Sequence, residues 1–171
     1  MTTLNEWQNF YVIFGSAAGA LIGLQFVVIA LIANRPRTQE MAQAGEAFST
    51  PTIVHLTTVL LLAGAMCAPW HGTGLVAVVW GIAGIAGVLY SVFVARSMQR
   101  QSAYKPEFED WLFHALLPIV AYALLIASTV VGLWQQDASL YCVAIPIVLL
   151  LVIGIHNAWD SVSYHVFTNN Q

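Results

Sequence analysis

The sequence predicts an all-α, polytopic transmembrane bundle of five spanning helices, and three observations carry that prediction. The composition is 59% hydrophobic and 8% charged, with mean hydropathy +0.76, where soluble domains are roughly a quarter charged. Five apolar segments, at about 10–33, 52–69, 75–95, 111–134 and 140–159, have lengths suited to a hydrocarbon core about 30 Å thick. The basic residues alternate by side: Arg35, Arg37, Arg96, Arg100 and Lys105 all fall in loops on one side of a five-span arrangement. The positive-inside rule makes that side the cytoplasm, with the N-terminus outside and the C-terminus cytoplasmic. A four-span arrangement would separate the two basic loops. The connections near 34–50 and 96–109 are too short for a core of their own, so residues 1–171 read as one transmembrane domain.

Segment one, FYVIFGSAAGALIGLQFVVIALIA, places Gly15, Gly19 and Gly23 at every fourth position. That spacing puts them on one helix face, where another helix can approach closely. Thr3 and Glu6 have capping-box spacing, which starts the helix ahead of Trp7. Residues 1–9 hold no Lys or Arg and the apolar run is long for a signal sequence, so segment one is expected to stay in the mature protein. It ends at Asn34-Arg35-Pro36-Arg37, where Pro36 disfavours helix at Arg35.

The stretch TQEMAQAGEAF is rich in helix formers and predicts a short interfacial helix over 38–48. Ser49-Thr50-Pro51 then reads as the cap and first turn of segment two. The tight His71-Gly72-Thr73-Gly74 connection makes segments two and three antiparallel neighbours. Segment three carries a small-residue stripe, Ala77, Gly81, Gly84, Ser91 and Ala95, which is expected to match the glycine ladder of segment one. In segment four, Pro118 removes an amide donor, frees the His114 carbonyl and predicts a kink; in segment five, Pro146 does the same for Cys142. Residues 160–167 are amphipathic and predict a second interfacial helix. Trp7, Trp70, Trp111, Trp134 and Trp159 sit at segment ends as interfacial anchors, while Trp80 is deeper.

The polar residues within the segments collect at one leaflet. His55, Asp110, His114, His156 and Asp160 all lie within a turn or two of the cytoplasmic ends of segments two, four and five. Asp110 and His114 are four apart, as are His156 and Asp160, so each pair can share a helix face. The plainer reading is that they satisfy one another and cap helix ends. The sharper one is a pH-sensitive vestibule or gate, since histidine beside a carboxylate changes charge near physiological pH. His55, His114, His156 and Asp160 have the chemistry of a zinc site, but no HExxH or comparably dense signature is present, and neither metal nor cofactor is expected.

Gln25 is the strongly polar side chain deep in segment one, about 120° from the centre of the glycine face. Thr57, Thr58 or Ser128 on a neighbouring helix would be its structural partner. As a pore-lining group it would be joined by Arg35 and Arg37 at the cytoplasmic mouth, which favour anions. Cys67 and Cys142 fall near the outer ends of their segments, where they are either a disulfide or two small buried side chains.

No basic cluster offers a phosphate footprint, which excludes nucleic acid as a partner. No phosphate loop, nucleophile elbow or CxxC points to an enzyme. Three classes of function remain. The leading one is a homo-oligomeric ion channel or small-solute transporter of the plasma membrane, packed at its centre through the segment-one glycines, because five helices leave little room for an aqueous path. The second is an accessory or scaffold subunit that binds another membrane protein through the same faces. The third is an intramembrane metal, haem or quinone protein using the histidines.

Overall fold

The structure is a computed structural model that describes residues 3–32, 39–70, 73–101 and 105–167. Its helices are α1 (Thr3–Glu6), α2 (Gln8–Ile32), α3 (Gln39–Cys67), α4 (Thr73–Arg100), α5 (Phe108–Trp111), α6 (Leu117–Gly132) and α7 (Gln136–Phe167). A π-helical turn, Leu112–Leu116, joins α5 to α6. No strand occurs among the described residues. Five stretches are long and apolar enough to cross a membrane: Gln8–Leu31, Ser49–Cys67, Gly74–Arg100, Phe108–Gly132 and Gln136–Ser163. This is the architecture of an integral membrane protein. Its surface carries Ile13, Leu24, Phe26, Leu75, Ile82 and Phe93, apolar side chains that suit lipid rather than water.

Two expected elements merge into their neighbours. The interfacial helix at 38–48 and segment two are one helix, with Pro51 inside it. Residues 160–167 are the last turns of α7. The physical reason is the same for both: starting a helix is costly and lengthening one is not, so a run of helix formers extends the adjacent span. A single proline near the end of the apolar stretch removes only one hydrogen bond.

Four spans form a ring in which α3 packs on α4, α4 on α6, α6 on α7 and α7 on α3, while α2 lies outside against α3 and, less extensively, α7. Leu56, Val59, Leu62, Trp80, Leu125, Ile147 and Leu150 fill the interior and are fully buried. Because lipid is as apolar as these side chains, the ring is held by close packing rather than by exclusion of water.

The closest approaches use glycine, though not the ladder as expected. A methyl on Gly15 would stand 2.9 Å from the Ala63 Cβ, but one on Gly19 would be 3.9 Å from Leu60, and one on Gly23 would meet nothing within 4 Å. Only the first rung is a tight contact. The α4 stripe does pack closely, at Gly81 against Thr129 and at Gly84 against Ile126 and the Tyr122 carbonyl. Its partner is α6 instead of α2, because α4 and α6 are neighbours in the ring while α2 is peripheral. Gly87, beneath the Tyr122 ring, and Gly154, beneath Leu56, are further tight positions.

Candidate functional site: an acidic cleft above a buried histidine

The start of the fourth span shapes the site. The Asp110 carboxylate accepts the Glu107 N–H at 2.8 Å and so fixes the first turn of α5. Next, the π turn directs the Leu117 N–H to the Leu112 carbonyl, and Pro118 has no N–H. The Phe113 carbonyl is thereby left without an intrahelical donor at either i+4 or i+5. Asn157 of α7, itself buried, supplies one through Nδ2 at 3.4 Å. The disturbance expected around Pro118 is thus a widened turn, and it ties the fourth span to the fifth.

Beside this tie lies an open cleft of about 100 Å³, lined by Glu107, Glu109, Asp110, His114, His156 and Asp160. Four of the five residues expected at a vestibule are here: Asp110, His114, His156 and Asp160. Glu107 and Glu109 complete it; their signal in the sequence is an acidic trio immediately ahead of the span. Among the described residues no Lys or Arg lines the cleft, and its four carboxylates give it an acidic lining.

The two i,i+4 pairs are arranged differently from expectation. His156 Nε2 meets Glu109 Oε1 at 2.9 Å across the helix interface, and its ring stacks on Phe113 with centroids 3.5 Å apart. His114 is 3% exposed and its Nδ1 lies 3.3 Å from the Asp110 backbone carbonyl, while the Asp110 carboxylate serves the helix start. His156 thus meets a carboxylate of another helix, with Asn157 Oδ1 3.4 Å from its Nδ1, and His114 meets the backbone of Asp110 rather than its carboxylate.

His55 does not line the cleft. It is 1% exposed and sits in the ring, with Nδ1 3.0 Å from the Tyr122 hydroxyl. That hydroxyl is 3.2 Å from Thr58 Oγ1, which donates to the Val54 carbonyl at 2.9 Å. The chain of donors can be followed from its far end. The Val54 carbonyl is the nearer acceptor for the single Thr58 proton, at 2.9 Å against 3.2 Å to the Tyr122 hydroxyl, and with that proton on Val54, Tyr122 donates to Thr58 and accepts from His55 Nδ1–H. Neutral His55 then carries a bare lone pair on Nε2, a buried atom with no hydrogen-bond partner among the described residues. Tyr90 packs edge-on against the imidazole, and His114 is close enough to act on it electrostatically. Tyr122 is the partner that sequence reasoning missed for His55, as the two lie 67 positions apart on different helices and spacing along the chain gives no sign of the contact.

The remaining candidates fall outside this site. Gln25 is buried on α2 but makes no hydrogen bond among the described residues. Thr58 and Ser128, two of its expected partners, bond instead to carbonyls of their own helices. As α2 is peripheral, Gln25 does not line the centre of the bundle. Arg35 and Arg37 lie outside the described residues. Cys67 and Cys142 are separate, half-buried thiols, and the disulfide considered from the sequence is not formed. Cys142 lies off the Leu140, Val143, Ile147, Leu150 stripe that α7 turns to the interior. No three His, Cys, Asp or Glu side chains among the described residues are placed to share a metal ion, as His55 is withdrawn into the ring.

Comparison with protein-family models, with curated proteins and with solved structures finds no match to this chain.

Proposed function

We propose that this protein is a cation-handling membrane transport protein, with the acidic cleft as its mouth and the proton as the species it takes up or couples to. The observation that carries the reading is the convergence of four carboxylates and two histidines on one cleft, with the buried His55–Tyr122–Thr58 chain beneath it. Carboxylates at a mouth concentrate cations and exclude anions. This replaces the anion preference expected from Arg35 and Arg37, which required segment one at the centre. On positive-inside grounds the mouth faces the cytoplasm, since Arg96, Arg100 and Lys105 belong to the same end of the bundle. Beyond Thr58 the interior is occupied by Val59, Leu62, Leu125 and Ile147, an apolar plug that keeps this conformation closed.

Proton flux measures the reading directly. Purified protein in liposomes, driven by a potassium diffusion potential, should acidify the lumen, and Glu109→Gln with Asp160→Asn should slow it. Wild-type protein that is folded and correctly inserted yet moves no cation at any pH would refute it.

A second reading, an accessory subunit or a homo-oligomer assembled through α2, draws on one observation. That helix is the least buried of the five spans, and its face at Gly23 is open. Constant co-purification with one membrane partner, without flux, would favour it.

A further inference from the structure

We infer that His55 Nε2 is a terminal proton-loading site, which accepts one proton from the cleft side and cannot pass it onward without a change in the helix ring. The inference rests on the transport reading for its purpose, but its chemistry stands on the geometry alone.

The direction of the hydrogen bonds decides it. The chain His55 Nδ1–H to Tyr122, Tyr122 O–H to Thr58, Thr58 O–H to Val54 runs one way and ends on a backbone carbonyl. A carbonyl has no proton to hand on, so the chain is not a wire. It does fix the imidazole tautomer. With Nδ1–H held by Tyr122, the acceptor position of the ring is Nε2, buried and without a partner among the described residues. In such a setting an unsatisfied acceptor is costly, and it is the one ring position open to a proton, though binding one buries a charge.

Loading forms one N–H bond at Nε2, with the proton supplied from water in the cleft by way of the region of His114, and leaves the three existing hydrogen bonds in place. The charge of the loaded state is what drives change. The titratable groups facing His55 are Tyr122 of α6, Tyr90 of α4 and His114 of the π turn. His55 makes no ion pair among the described residues. An imidazolium there is uncompensated, so it is stable only if cleft water advances to it or the spans part. Protonation and opening are therefore one event, the property a proton-coupled carrier or gate requires.

The test is nitrogen NMR of the full chain, with ¹⁵N-labelled histidine, in lipid nanodiscs across pH, assigned by comparison with His55→Gln. At neutral pH His55 should be the Nδ1–H tautomer with a bare Nε2, and Tyr122→Phe should abolish that fixed preference. On acidification Nε2 should gain its proton while Nδ1–H persists. An Nε2–H tautomer in the wild type would overturn the inference, as would a His55 that stays neutral in folded protein down to pH values that protonate the cleft carboxylates. In liposomes, His55→Gln should lower proton flux about a hundredfold, the scale on which a positioned proton-transfer group acts; unchanged flux would also overturn it. If His55→Gln fails to fold, the wild-type tautomer and its titration, with His55 assigned through Tyr122→Phe, decide the matter. If the wild type loads His55 as described but passes no protons, the site stands and the transport reading falls.

Discussion

Gly87→Ala and Gly23→Ala make the same chemical change on two spans and should have opposite effects. A Cβ built on Gly87 would overlap the ring of Tyr122, whereas one on Gly23 meets nothing within 4 Å. Tyr122 is 1% exposed and its hydroxyl is held by His55 and Thr58, so the ring cannot retreat without weakening those bonds. Overpacking of this kind costs about 1–3 kcal/mol, and each neutral hydrogen bond that is stretched adds up to about 1 kcal/mol. Against this, alanine is favoured over glycine within a helix by roughly 1 kcal/mol. Gly87→Ala should therefore destabilise by about 2 kcal/mol net, and Gly23→Ala should be neutral or stabilising by up to about 1 kcal/mol. Reversible unfolding in mixed micelles, followed by helix content and by the fluorescence of buried Trp80, gives both values. In a Tyr122→Ala background the cost of Gly87→Ala should vanish, since the ring is what it strikes. A Gly87→Ala protein as stable as wild type would refute the packing argument, and a cost that survives loss of the ring would show that its source lies elsewhere.

Asn157→Leu removes the donor to the Phe113 carbonyl and should destabilise by about 0.6 kcal/mol, the average for interhelical hydrogen bonds in membranes, and by no more than about 1.7 kcal/mol, the largest of them; the same micelle titration reads it. Glu109→Gln removes the charge from a histidine–carboxylate contact whose side chains are 29% and 71% exposed, so its effect on stability should stay below about 1 kcal/mol. A larger stability loss would mean that Glu109 has a structural role beyond lining the cleft. Gln25→Leu removes a buried amide that makes no hydrogen bond among the described residues, and should be neutral or stabilising; a clear loss of oligomer size or stability would instead place a partner for Gln25 in another subunit.

The cleft was partly legible because amphiphilic constraints act locally. A histidine or carboxylate within a lipid-spanning segment is expensive anywhere but near its end or in a protein interior, so depth along each helix could be read one residue at a time. Asp110, His114, His156 and Asp160 were found this way. What could not be read was azimuth, the side of the helix each residue faces once the spans are assembled. His156 pairs with Glu109 across an interface, and His55 turns inward to Tyr122, because of which helices are neighbours and how far they are rotated. Spacing along one chain segment contains neither quantity.

The glycines show the same division. The sequence by itself determined that five helices of membrane-spanning length would form, that glycines would mark close approaches, and that polarity would gather at one end. These follow from helix geometry and from the insolubility of polar groups in lipid, which are properties of each segment alone. Tertiary structure decided which helix each glycine meets. The ladder at Gly15, Gly19 and Gly23 contacts a peripheral neighbour tightly at one rung only, and the closest approaches belong to Gly84, Gly87 and Gly154. It also decided which His55 nitrogen lacks a partner among the described residues, since the bonds that fix its tautomer join residues 64 and 67 positions apart in the sequence. A contact between helices depends on their order around the ring and on their rotation, and only the packed bundle sets those.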